Sequence, residues 1–371
     1  MVKNVKISPR QFCILVILFS IGTTILIIPA AIIKTAQQDA WISALLGIGL
    51  GLLLVALIIT LANRYPNMTL VEINEKLLGR WLGKTVSLAF VFFSFISAAG
   101  LLFQVGTFLT TQMMPDTPVL MINILFACVV IMGIRLGLET LARSAEIFFA
   151  FFIILFIILV VSVAPQIDFQ NIQPVFEVRM KPIIWSSLIF VSIFCLPSVV
   201  LLMVFPVSVN QPKQAKQAFF SGIIIGGLFL TIIIVLGILV LGIDVASRHM
   251  YPSYAIARRI NVGGFIQRIE AVMAIMWFIS MYFKLIFYFY AAITGLAQTL
   301  NVKDYRPLTL PLGMIMVVMS VTLHPDILDY NQYNKGIFMV HASTYGLFLP
   351  LLLLGISAFR KKEGTKQNEI P

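Results

Sequence analysis

Charge is scarce in this chain. Asp, Glu, Lys and Arg make up 11% of its 371 residues, and hydrophobic residues 60%, where a soluble domain carries about 25% charged residues. That balance excludes a sizeable water-soluble domain and leaves a polytopic membrane protein. Acidic residues are the scarcer sign, 15 against 26 basic ones. The resulting charge of +11 would suit nucleic acid. The basic residues are scattered over short loops, however, so membrane topology accounts for them and no nucleic-acid partner is expected. Cysteine is sparse as well. Cys13, Cys128 and Cys195 stand singly in apolar segments, which excludes a disulfide framework and a zinc site. His249, His324 and His341 do not cluster with Cys or acidic residues. A Walker loop, HExxH, a nucleophile elbow and a GxGxxG followed by an acid are also missing. The chain is therefore expected to be no enzyme and to hold no cofactor and no metal. No apolar segment alternates as the strands of an outer-membrane barrel do.

What the chain does have is long hydrophobic runs, and 7–34 organises the rest. Phe12 to Phe19 is continuously apolar, then Ser20, Gly22, Thr23 and Thr24 intervene, and Pro29 follows. The segment is long enough to cross a bilayer, but Gly and Pro weaken a helix. Non-helical backbone at membrane depth survives only where protein or a watery cavity satisfies it. The Ser20–Thr24 region is thus either an unwound point lining a site or a kink. The basic start (Lys3, Lys6, Arg10) resembles a signal sequence, but the run is too long and no cleavage site follows, so it is read as a retained first span.

Ten spans are expected in the bilayer, at about 9–33, 40–61, 84–112, 118–135, 143–163, 183–205, 217–242, 266–299, 307–324 and 336–358. Lys and Arg are concentrated on the segments that share a side with the N-terminus, so both termini are expected to be cytoplasmic. Span 6 carries Cys195, Leu196, Pro197 and Ser198 in its middle. Pro197 removes a donor and clashes with the carbonyl four residues back. Span 6 is therefore interrupted as span 1 is, and it opens a second set of five. Two interrupted spans at matching places point to a transporter-type binding site. Hydropathy and order thus suggest an inverted 5+5 repeat, about 9–163 and about 183–358, in a single transmembrane domain spanning 1–371.

Smaller signals accompany this frame. Ser94, Ser97, Gly100, Gln104, Thr107 and Thr111 share one face of span 3, either for close packing or for a site; the amide of Gln104 needs partners if buried. Gly47 with Gly51, and Gly222 with Gly226, read as packing motifs. The loop 63–84 has amphipathic spacing, for a short interfacial helix or a docking surface. Glu139 and Arg143 are spaced to pair on a helix, and Glu146 is either an interfacial charge or part of a gate or proton relay. The loop from Asp244 to Gln267 either covers an entrance or connects. Lys284 lies near the middle of span 8, on a stripe with Trp277, Met281 and Tyr288. A central Lys costs on the order of 3 kcal/mol on insertion scales, so it normally faces the bundle interior.

Four stretches carry a resemblance to a family: SPRQF at 8–12 with IG at 21–22 and Pro29; NRYPNMTLVEINEKLLGRWLGK at 63–84; GLETLARSAEIF at 137–148; and RIEAVMAIMWFISMYFK at 268–284. In their order and spacing the chain resembles the B subunits of spore germinant receptors. These are endospore germination permeases of the amino acid–polyamine–organocation superfamily. The resemblance runs from about Ile7 to Phe359. It implies an all-α, LeuT-like fold and a location in the spore inner membrane. It also implies A and C subunits as partners and a role in sensing a small-molecule germinant, an amino acid or sugar. The implied pocket lies between spans 1, 3, 6 and 8. It would involve Gly22, Thr23, Ser94, Ser97, Ala98, Gln104, Cys195, Leu196, Pro197, Lys284 and Tyr288. Where superfamily transporters often have small residues or a Gly-Glu pair, this chain has Cys195–Leu196–Pro197–Ser198. Lys284 either meets a ligand carboxylate or replaces a sodium ion between spans 1 and 8. A proton-coupled amino acid transporter is the alternative function.

Overall fold

The computed structural model describes residues 6–259 and 270–367. Within them the chain is helical, with a single isolated β-bridge. Ser8 starts the first helix, α1 (Pro9–Ile21). Its hydroxyl accepts from Gln11 N while the Gln11 side chain accepts from Ser8 N. This reciprocal cap satisfies amide donors where the chain enters the apolar phase. The bridge lies just ahead of that cap: Ile7 N donates to Ser208 O at 2.8 Å and Asn210 N to Ile7 O at 2.9 Å.

The chain continues through α2 (Thr24–Ala36) and α3 (Ala40–Arg64), a short capped helix α4 (Leu70–Leu78), and the long α5 (Arg80–Gln112). Next come α6 (Val119–Leu136), α7 (Leu138–Val163) and α8 (Met180–Phe194), the last followed by a 3₁₀ helix, Leu196–Met203. After α9 (Pro212–Leu241), two short helices, α10 (Ile243–Arg248) and α11 (Pro252–Arg258), lead to α12 (Glu270–Thr299). The remainder is α13 (Arg306–Thr322), α14 (Ile327–Lys335), α15 (Ile337–Ser343) and α16 (Leu349–Gln367). Residues 260–267 of the long polar loop, and the expected start of span 8 with Arg268, lie outside the described residues.

Among the described residues, eight helical segments are long and apolar enough to cross a membrane, or nine if the bent pair α13–α14 is one span. Ten are expected from hydropathy. The difference has a physical source. Gly22 stops α1 at 13 residues, too short by itself, and α2 continues into α3 as one stretch, Thr24–Arg64. The stretches also differ in environment. In the apolar part of Met180–Met203, 89% of residues are buried, against 22% in Leu138–Gln166. The first is core and the second faces lipid.

Glycines set how closely the core packs. A Cβ at Gly51 would strike Cys195 Sγ, and one at Gly222 would lie 2.6 Å from Val16 Cγ1, so α3 closes on the end of α8 and α9 closes on α1. The amphipathic stretch becomes α4, whose apolar side is buried; Asn74 donates to Ser87, and the Thr69 hydroxyl to Gln298 at the end of α12. Glu139 and Arg143 form the spaced ion pair at 2.6 Å on an exposed surface.

A buried acid ties the segment before α8 to the start of α3. The Asp39 carboxylate accepts from Phe176 N at 2.9 Å and from Val178 N at 3.0 Å. Asp39→Ala leaves both amides without this acceptor and is expected to remove about 1–3 kcal/mol of stability. The measurement is the unfolding midpoint of the purified protein in detergent. The exposed Asp116→Ala serves as a control, expected within about 0.5 kcal/mol of the parent.

Candidate functional site

The site begins at the break in span 1. The helix stops at Ile21 and resumes at Thr24, with Gly22 at φ +20° and ψ −119°, a backbone that L side chains rarely adopt. Space excludes a side chain as well, because a Cβ on Gly22 would strike Lys284 Cδ and sit 2.8 Å from Lys284 Cβ. The hydroxyls of Ser20 and Thr24 donate back along the helix, to Val16 O and Ser20 O. The Thr23 hydroxyl instead crosses to α5 and donates to Gln104 Oε1 at 2.5 Å.

The second break supplies an acceptor. In an unbroken helix the Ile193 carbonyl would receive the N–H of residue 197. That residue is Pro197, which has none. The carbonyl is left available, and Lys284 Nζ donates to it at 3.2 Å. Lys284 Nζ also reaches Thr24 Oγ1 at 3.4 Å and lies 5.7 Å from the centre of the Phe19 ring. Lys284 is only 2% exposed, and no carboxylate pairs with it among the described residues. One lysine on α12 therefore bridges the two broken helices through neutral oxygens.

Beside Lys284 lies a cavity of about 30 Å³, lined on this side by Thr23, Ser97 and Tyr288. That is room for about two waters, less than an amino acid requires. The Tyr288 hydroxyl is buried beside Ser97 yet makes no hydrogen bond. Ser97 itself donates to Phe93 O at 2.8 Å. The opposite wall comes from the turn after α13 and from α14 and α15: His324, Tyr330, Tyr333, Asn334 and Phe338. The axis turns by 103° between α13 and α14, which lays α14 across the cavity. Asp326 caps α14 by accepting from Asp329 N at 2.8 Å.

Of the residues singled out from sequence, Thr23, Ser97, Lys284 and Tyr288 thus line one cavity, and Gly22 abuts the Lys284 stem. Gln104 stands one contact away, bonded to Thr23, and its buried Nε2 has no partner. Ser94 and Ala98 are buried on α5 away from the cavity wall, with Ser94 Oγ unbonded. Cys195 turns its sulfur toward Gly51 and Leu196 sets its carbonyl against Gly346. Pro197 is buried and acts through the carbonyl it frees. Sequence reasoning missed the α14 wall, because polar 325–335 read as a connection between spans, and it set His324 apart from the acids although the turn into α14 brings Asp329 to within 2.7 Å of its ring. Tyr330, Tyr333 and Asn334 fall at helical spacing, and that was the available signal. Glu146 accepts from Gln11 Nε2 at 3.1 Å, well away from the cavity in sequence.

A second cavity of about 240 Å³ lies next to α11, lined by Gln112, His249, Tyr251, Arg258 and Arg259 among others. Burial, with Tyr330 nearby, pushes the Tyr251 hydroxyl pKa up, so it stays a protonated donor.

The sequence profile of the spore permeases, described as spore germination proteins, matches residues 6–326. The chain belongs to this family. Spore germination protein KB of Bacillus subtilis is 29% identical to this spore permease, with 98% of each chain covered. Spore germination protein YndE of the same organism is 25% identical over 96% of this chain and 98% of the relative. Among solved structures, Mhp1, a nucleobase-cation-symport-1 family transporter in a closed conformation with bromovinylhydantoin bound, superposes with a TM-score of 0.61. It covers 93% of this chain and 79% of its own at 13% identity. The spore permease therefore has the LeuT-like fold expected of its two broken helices and is a multi-pass integral membrane protein. Its family and its structural neighbour are permeases and transporters.

Proposed function

We propose that this spore permease is the membrane-embedded sensor subunit of a germinant receptor. A small nutrient binds at the cavity between the broken helices, and partner subunits of A and C type read the change. The observation that carries this reading is Lys284. A buried cation joined to both broken helices through neutral oxygens leaves its charge available to an anionic group of a ligand. A ligand shifts such a bundle only if it binds one arrangement better than another. The small free volume of the cavity suits a closed arrangement that nutrient would have to open. Two structural repeats, about 9–163 and about 183–358, fit the breaks at Gly22–Thr23 and at Cys195. Cytoplasmic termini fit the Lys and Arg bias, and a place in the spore inner membrane fits membership of the spore permease family. No chemical step is assigned to the chain.

The test is a germination dose–response of spores carrying Tyr288→Phe, with abundance checked by immunoblot. Loss of one hydrogen bond to ligand is expected to raise the half-maximal nutrient concentration by roughly three- to tenfold. Unchanged sensitivity at normal abundance would remove this cavity as the nutrient site. Net accumulation of labelled amino acid by proteoliposomes, lost in Lys284→Met, would instead favour the proton-coupled transporter.

A further inference from the structure

We propose that α14 carries the second half of the ligand site, and that His324, oriented by Asp329, accepts a hydrogen bond from the ammonium group of a small zwitterion whose carboxylate faces Lys284. This rests on the sensor reading of the same cavity and adds to it the recognition of the amine.

The geometry begins at the sharp turn between α13 and α14. His324 Nδ1 lies 2.7 Å from Asp329 Oδ2; the imidazole is buried and lines the cavity, while Asp329 is half-exposed. A carboxylate can only accept, so Nδ1 carries the proton and the tautomer is fixed. In the neutral ring the other nitrogen, Nε2, is then an acceptor, and no protein group bonds it among the described residues. Aromatic rings hold the imidazole in place, with the Tyr330 and Tyr333 centroids at 5.0 and 5.2 Å and Phe103 at 5.6 Å.

The cavity is chemically two-sided. One wall has Lys284 and the unbonded Tyr288 hydroxyl, both suited to an anion. The other has an imidazole acceptor and the side chains of two tyrosines, groups that can receive a cation. The cavity lining includes no acidic side chain. The ammonium would therefore be recognised by neutral groups. The titratable groups around His324 are Asp329, Tyr330 and Tyr333 on α14, with Asp326 at the cap of that helix and Lys284 and Tyr288 across the cavity.

The test uses spores in which the receptor containing this chain is the sole germinant receptor. The probes are the twenty L-amino acids, D-glucose, D-fructose and inosine. For the most active amino acid, the 2-hydroxy acid of the same side chain is added. The expected result is a response to an amino acid, with the hydroxy acid at least tenfold weaker. His324→Gln, whose amide oxygen can still accept, keeps the half-maximal concentration close to that of the parent. Asp329→Asn, which no longer fixes the tautomer, raises it several-fold at normal abundance. His324→Phe removes the acceptor and raises it tenfold or more; if that variant is not made, His324→Gln and Asp329→Asn carry the test. Two results overturn the role of His324 and leave the sensor reading standing. One is an amino acid response shifted by Tyr288→Phe but by no change at 324 or 329. The other is a response only to a sugar or nucleoside, shifted by Tyr288→Phe. Silence to every probe, or a response that no cavity substitution shifts, overturns the sensor reading and this inference with it.

Discussion

Lys284→Met is expected to leave the protein in the membrane and to abolish most of the germination response. Methionine has nearly the length of lysine without its charge. Among the described residues Lys284 is buried with the Ile193 carbonyl and the Thr24 hydroxyl as its hydrogen-bond partners and the Phe19 ring beside it, and an interior charge so lightly compensated costs several kcal/mol. Removing it should therefore hold or raise the unfolding midpoint. Function should move the other way. A charge-assisted hydrogen bond contributes about 1.5–3 kcal/mol, which amounts to roughly 10- to 150-fold in half-maximal concentration. Lys284 also bridges α2 and α8 from α12, so the maximal response should fall together with sensitivity, and for every nutrient. Spore germination curves with immunoblots and melting curves measure both. A variant with parental sensitivity and amplitude would mean that the buried cation takes part in neither binding nor coupling.

Gly22→Val is expected to deplete the protein itself. Gly22 sits at φ +20°, where a branched side chain is strained by about 1–2 kcal/mol or more. Its new Cβ would also run into the Lys284 stem, which has nowhere to move because its end is held by Ile193 O. Overpacking at such a point adds about 1–3 kcal/mol, so membrane abundance should fall several-fold. Gly49→Ala is the contrast. No atom lies within 4 Å of that Cβ, and in a helix interior alanine should add up to about 1 kcal/mol. Equal abundance of Gly22→Val and parent would mean that the span 1 break relaxes freely.

The features that could be read from sequence were those with a local cause. Gly22 and Pro197 weaken a helix wherever they stand, so both interruptions were legible, and a lysine amid apolar residues marked α12. The role of Pro197 was only half legible. Its missing N–H was evident, but that Lys284 would use the freed carbonyl depends on how α12 packs. Cys195 and Leu196 border the break and so looked like cavity residues. Their side-chain and carbonyl directions, toward Gly51 and Gly346, are set by tertiary contacts. The α14 wall was missed for a related reason. A polar stretch between two apolar runs reads as a connection, and only the 103° turn after α13 brings its tyrosines and His324 over Lys284.

The pairing of Ile7 with Ser208 and Asn210 bears on how quiet the protein is without nutrient. A dormant spore cannot tolerate false alarms, so spontaneous excursions of its sensor must be rare. Prising residue 7 away from 208–210 gives up two backbone hydrogen bonds, a difference of about 1–3 kcal/mol. Any rearrangement that separates the two is made rarer by roughly 5- to 150-fold. The clasp at the foot of α1 acts in this sense as a noise filter against rearrangements that would separate residue 7 from 208–210.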